Sequence, residues 1–334
     1  MADHDRALKV LSVVGAGRSG TTVLASILGE LDGFTSAGEL RWLWERGVRD
    51  SRPCACGLPP EECTVWSTVL NDVRAALADR LPTTDVDAVV AAQHEVGARR
   101  HLPRLLRSIG AASSDWQALE TVRTVIGAAC FSLAAGTGAH VVVDTSKRPA
   151  DAAVLAGLPD VDHYVLHIVR DPRAVVHSWR RAKTFTTGGQ TRTMGTRSLG
   201  STVRRWWSSG LWTEALRRRV PGAHWMHMRY EDFAAEPRRA VEELMSFMDE
   251  SGPTPFVDDH TVRLRPNHIV AGNPSRFTTG AVTIRADEEW RRQMSRRDRL
   301  LVGGLTMPLM RRYGYTRRER AAAPAGTSAS GGPS

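Results

Sequence analysis

The chain has 334 residues, a formal net charge of +9 from 45 Lys and Arg against 36 Asp and Glu, and a composition that is 42% hydrophobic and 6% aromatic. It is long enough to bury a full core as one large or two ordinary domains, and collagen-like, disordered or coiled-coil architectures are excluded for the whole chain. The N-terminus, MADHDRALK, carries acids and lacks the apolar core of a signal peptide, so a cytoplasmic protein is expected.

Lys9 to Val14 is a short apolar run ending in Gly15, and helical periodicity follows from Thr21 to Leu31, which predicts strand, Gly-rich loop and helix. Phe34 to Ala37 is a second strand candidate. Val65 to Leu133 is mostly Ala, Leu, Val and Arg with turns near Pro82, Gly110 and Ser113, and predicts a helical insert over residues 64–135. The uncharged stretch Thr124 to Val143 is broken by Gly127, Gly136 and Gly138 and reads as a helix end, a turn and a strand rather than a membrane span.

Strands are predicted at Val141 to Val143, Tyr164 to Val169 and Trp225 to Met228. Helices are predicted at Ala150 to Ala156, Arg173 to Arg180, Thr202 to Arg219, Pro237 to Asp249 and beyond Asp287. This alternation implies an α/β, P-loop-like three-layer fold: a central parallel sheet with helices on both faces, plus the insert. Residues 1–320 are expected as one domain and 321–334, AAAPAGTSASGGPS, as a disordered tail.

Cys54, Cys56 and Cys63 cluster in PCACGLPPEEC. Zinc wants four N or S ligands, and this loop offers three with no His nearby in sequence, so no metal is expected. The stretch from Arg285 to Arg320 holds eleven Arg against five acids. Nucleic acid is one partner for such a region, a solvated helical face is another, and a site for a small polyanion is a third.

Gly15 to Thr22, GAGRSGTT, has the spacing of a Walker A loop and lies where backbone N–H groups and a helix dipole cradle phosphate. Thr21 stands where the Walker Lys belongs, and Arg18 supplies the charge instead. In a parallel sheet, ligands bind outside the carboxyl ends of the strands. A helix running away from the loop and a strand running back bring Glu39 beside it. Lys147 in DTSK, one of only three lysines, leaves the same edge. So does Arg170, with Ser178 two turns along the following helix and Tyr230 closing the last strand. Arg170 and Ser178 together can hold a second anion.

These residues resemble the PAPS-dependent sulfotransferases, in the bacterial, carbohydrate and tyrosylprotein branch. The resemblance rests on GAGRSGTTVL, AGEL, DTSKRP, IVRDPRAVVHSW and RYEDF in this order. It implies that Arg18, Ser19, Gly20, Thr21 and Thr22 hold the 5′-phosphosulfate of 3′-phosphoadenosine 5′-phosphosulfate (PAPS), and that Arg170 and Ser178 hold its 3′-phosphate. Tyr230 would meet the nucleoside end, and the segment holding Asn273 and Arg276 would cover it. No metal is expected, because the sulfuryl group carries less charge than a phosphoryl group.

By the same resemblance Glu39 is the general base for an acceptor hydroxyl, with Lys147 and Arg18 stabilising charge on the leaving group. His94, His101 and His177 are the rival bases. Trp42 and Trp44 are candidates for holding an acceptor ring, and the cysteine loop and insert are where acceptor recognition is expected. Lys183 to Gly200 reads as a lid. A sulfotransferase acting on a small-molecule, natural-product or carbohydrate acceptor is therefore expected. The alternatives are an ATP·Mg²⁺ kinase and a nucleic-acid-binding protein.

Overall fold

The computed structural model of the chain describes residues 7–78, 85–111, 113–187 and 190–315. Pro82 and the tail 321–334 lie outside them. The first strand, β1 (Leu8–Val14), leads through the Gly-rich loop into α1 (Thr21–Leu28), and β2 (Phe34–Gly38) returns to the same edge. A short 3₁₀ turn, Leu40–Trp42, and a wide-turned π-helix, Leu43–Arg49, then carry the chain into the cysteine loop.

The insert consists of α2 (Thr64–Leu77), α3 (Val86–Val96), α4 (Leu102–Arg107) and α5 (Gln117–Thr137). Gly138, in the left-handed region at φ 70°, ends α5 before β3 (Val141–Lys147), whereas Gly127 and Gly136, expected to break the stretch, lie within the helix. By length and composition α5 is apolar enough to cross a membrane, yet 61% of its most apolar window is buried inside the protein.

Beyond β3 come α6 (Pro149–Leu155), β4 (Val161–Val169), α7 (Pro172–Arg180) and an antiparallel hairpin, β5 (Lys183–Thr187) with β6 (Gln190–Met194). The expected lid therefore begins with paired strands, and the turn at 188–189 lies outside the described residues. The chain continues through α8 (Leu199–Arg217), β7 (Trp225–Arg229), α9 (Tyr230–Ala235) and α10 (Pro237–Phe247). A second hairpin, β8 (Thr261–Leu264) with β9 (Gly280–Thr283), precedes α11 (Glu289–Gln293) and α12 (Arg296–Arg312).

The main sheet has five strands in the order β2-β3-β1-β4-β7, all parallel. Alternation along β1 sends Leu8, Val10 and Val14 to one core and Leu11 and Val13 to the other. The insert and α6 fill the first face, and α1 and α10 fill the second. The α/β three-layer arrangement is thus the observed one. Strand β3 lies between β1 and β2, an order that pattern reading leaves open. It places the end of β3 on the ligand-binding edge directly beside the end of the central strand β1.

At that end Asp144 is buried. Its Oδ1 accepts from the Leu40 N–H at 3.2 Å, the Ser146 N–H at 3.2 Å and the Ser146 hydroxyl at 2.6 Å, tying β3 to the residue after Glu39. Burial pushes its carboxyl up from an ordinary 3.8 to about 7, against the opposing pull of these donors. The folded protein therefore keeps a proton that the unfolded chain sheds, and the resulting stability is lost as pH rises through about 7. Asp144→Asn keeps an acceptor oxygen and removes the titration. Its melting temperature should gain on the wild type between about pH 4 and about pH 8, and a pH-independent difference would contradict this account.

Candidate active site

Two clefts open side by side on the carboxyl edge, with Lys147, Trp42, Gly17 and Trp179 in the walls of both. The first, about 460 Å³, is lined by Arg18, Gly20, Thr21 and Thr22 of the loop but not by Ser19, by Glu39, Arg46, Arg170, Ser178, Tyr230 and Asn273, and by Asp287. The second, about 350 Å³, lies between the insert and α8.

The loop is held by backbone geometry. The Gly15 N–H donates to the Lys147 carbonyl at 3.0 Å, joining the ends of β1 and β3. The Ser19 hydroxyl donates to the Ala16 carbonyl at 2.8 Å, so this buried side chain shapes the loop from within. Gly20 caps α1 at φ 74°, and a Cβ there would stand 2.7 Å from the Tyr230 ring. Glycine is required on both counts. Thr22 Oγ1 accepts from the Asn273 N–H at 3.3 Å, which seats the 273–276 segment on the first turn of α1.

The Arg18 guanidinium has no acidic partner among the described residues. Arg18 sits in the left-handed region at φ 75°, its guanidinium 4.8 Å from the centre of the Trp179 ring. None of its three buried guanidinium nitrogens has a hydrogen-bond partner. Burial, then Arg170 and Arg197, lower its proton affinity. Arg170 lies over Tyr230 at 4.4 Å, donates to the Arg18 carbonyl at 2.8 Å and pairs with Asp287 at 3.1 Å, while its buried Nε is unpartnered. Buried cations without acceptors cost free energy, and an anion in this cleft would offset that cost.

Glu39 and Lys147 form an ion pair, with Lys147 in the left-handed region at φ 71°. The strand–helix–strand arithmetic thus brings Glu39 to the loop. Its backbone N–H donates to the Val270 carbonyl at 2.9 Å, and Gly272 passes close enough that a Cβ on it would lie 3.5 Å from the Glu39 carboxylate. Trp42 is sandwiched by Arg41 at 3.9 Å and Arg46 at 3.6 Å and separates the clefts.

Several expected residues lie elsewhere. Trp44 is fully buried in the core and lines neither cleft, because the π-turn rotates it inward. Arg276 is behind the cover, donating to the Gly272 and Pro53 carbonyls at 3.3 and 3.2 Å, and burial lowers its guanidinium to about 10. It braces the segment that Asn273 presents to the cleft. His94 pairs with Glu45 at 2.8 Å, His101 packs edge-on to Trp116 and His177 sits on α7. No His is among the described residues lining either cleft.

Residues that pattern reading passed over include Arg46, Asp287 and Trp179, the last at the end of the IVRDPRAVVHSW motif. Arg41, Arg99, Arg148, Arg197 and Arg205 surround the second cleft together with Trp206 and Trp212, and no carboxylate is among its described lining residues. Gly97, Arg99 and Leu102 carry the insert to this cleft, whereas the cysteine loop reaches neither.

The Gly20–Tyr230 contact makes a prediction. Gly20→Ala should cost ~1–3 kcal/mol in thermal or denaturant unfolding. Tyr230→Ala in the same chain should recover part of it, and strictly additive losses would contradict the contact.

The sequence profile described as Sulfotransferase family matches residues 11–253. A search of curated proteins finds no match. Among solved structures, a sulfotransferase domain from the curacin biosynthetic pathway is 14% identical with a TM-score of 0.48, covering 91% of this chain and 99% of that one. The sulfotransferase domain of the Synechococcus PCC 7002 olefin synthase is 17% identical with a TM-score of 0.46, covering 91% and 96%. Sulfotransferase STF9 from Mycobacterium avium is 14% identical with a TM-score of 0.45, covering 93% and 78%. At these values the likenesses carry no inference about substrate. The profile match spans most of the chain and all five motifs that bound the cleft, and by it the chain belongs to the sulfotransferase family.

Proposed function

We propose that this sulfotransferase takes the sulfuryl group of PAPS and transfers it to an acceptor hydroxyl, with Glu39 as base and Lys147 and Arg18 as charge stabilisers. The observation that carries this reading is the buried Arg18 guanidinium, whose nitrogens have no acceptor, at the mouth of a Gly-rich loop that lacks the Walker Lys. The loop amides and Arg18 suit the 5′-phosphosulfate, and Arg170 with Ser178 suits the 3′-phosphate. Tyr230 and Asn273 flank the nucleoside end.

When bound, PAPS supplies an activated sulfur and a stable 3′,5′-bisphosphate leaving group. Glu39 takes the proton from the acceptor hydroxyl as the new O–S bond forms and the bond to the 5′-phosphate breaks. Lys147, paired with Glu39 and reaching both clefts, meets the negative charge that develops on the departing oxygen. The second cleft, rich in Trp and Arg, suits an acceptor that joins a ring to an acidic group, within the small-molecule, natural-product and carbohydrate classes.

An ATP·Mg²⁺ reading finds less support. The only carboxylates among the described lining residues of the donor cleft are Glu39 and Asp287, engaged by Lys147 and Arg170. Thr21 stands in place of the lysine that such enzymes use on the β- and γ-phosphates. For the nucleic-acid reading, Arg291 and Arg312 of the described C-terminal region are paired locally, with Glu288 at 3.1 Å and Glu214 at 3.2 Å.

Glu39→Gln should lower turnover of labelled PAPS with a responsive acceptor by ~10²–10⁴-fold. Affinity for 3′,5′-adenosine bisphosphate should stay within about threefold, because the carboxylate acts on the acceptor rather than the nucleotide. Unchanged turnover would remove Glu39 from the role.

A further inference from the structure

The fourth ligand that the cysteine loop lacks in sequence is supplied from far along the chain. His268 Nδ1 lies 3.1 Å from Cys63 Sγ, Cys63 Sγ lies 3.6 Å from Cys54 Sγ, and Cys54 Sγ lies 2.8 Å from Cys56 Sγ. All four donor atoms fall within 4.8 Å of one another. Two ligands bonded to one tetrahedral zinc at ~2.0–2.3 Å stand ~3.5–3.8 Å apart, so one ion meets all four donors after small side-chain movements.

We propose that Cys54, Cys56, Cys63 and His268 bind one structural zinc ion that fastens the cysteine loop to the segment covering the donor cleft. The donor set is closed, with no position left for water, as in structural rather than catalytic sites. Three sulfurs and one imidazole select zinc over the oxygen-preferring cations. On binding, the thiols release their protons to solvent, and no oxidant or reductant is needed. A single disulfide would engage two of these sulfurs and leave the third thiol and the imidazole unused. The local backbone suits a ligand knuckle. Gly57, at φ 93°, turns the chain so that its N–H donates to the Cys54 carbonyl at 3.0 Å, and the Cys56 N–H points at Cys54 Sγ at 3.4 Å.

The consequence reaches the active site through the backbone. The Ala55 N–H donates to the Ile269 carbonyl at 3.0 Å, and Trp66 Nε1 donates to the His268 carbonyl. Two residues on, Val270 pairs with Ala37 and Glu39, and Asn273 then meets Thr22. The ion would therefore hold the register of the cover that contacts both the phosphate loop and the base.

The test is metal content in full-length protein purified reduced and without a polyhistidine tag. About one zinc per chain is expected, with a tetrahedral thiolate spectrum when Co²⁺ replaces it. His268→Ala should weaken zinc binding by at least ~10-fold, and His268→Cys, which restores a ligand, should retain the metal. Reduced wild-type protein that neither carries zinc nor takes up Zn²⁺ or Co²⁺ would overturn the proposal, and so would an intact mass lower by two hydrogens in protein kept from air. The wild-type cobalt spectrum decides the matter even if a variant fails to fold, and none of these readouts depends on PAPS or an acceptor.

Discussion

The hydrogen bond from the Gly15 N–H to the Lys147 carbonyl, 3.0 Å long, ties the phosphate loop to the strand end that bears the ammonium. Because β3 lies between β1 and β2, this link lets Lys147 pair with Glu39 in the cleft that Arg18 also lines. Arg18 and Lys147 both occupy left-handed backbone conformations, which cost residues with a Cβ about 1–2 kcal/mol each. Such strain persists where surrounding structure enforces it. Here the enforcement comes from strand ends locked by buried hydrogen bonds, including those to Asp144.

Charge follows the same geometry. Arg18, Arg46 and Arg170 converge on the donor cleft, and five further Arg surround the neighbouring one. Trp42 and Trp179 lie against four of these guanidiniums, Arg41, Arg46, Arg18 and Arg197, and hold them with little hydrogen bonding of their own. Stacking leaves the guanidinium edges free for anions.

The motifs around the sheet edge were legible because each couples a strand end to a chemical group a few residues away. GAGRSGTT, AGEL, DTSK and the Arg170 and Tyr230 strand ends all reach the donor cleft as topology requires. Trp44 was not legible, since a π-turn rather than an ordinary helix sets its direction. His268 was invisible for a different reason. Its partners stand more than two hundred residues earlier, and nothing in local spacing announces a contact made by the chain's return across the top of the sheet. The Arg-lined cleft was hidden in the same way, because its walls come from the insert, α7 and α8 together.

The most direct test of the account is calorimetric binding of 3′,5′-adenosine bisphosphate and of ATP, each with and without Mg²⁺. The proposed anion sites at Arg18 and Arg170, with Thr21 in the position of the Walker lysine, predict tight binding of the bisphosphate that is indifferent to Mg²⁺ and little response to ATP. Metal-dependent binding of ATP with no response to the bisphosphate would contradict the assignment of the loop.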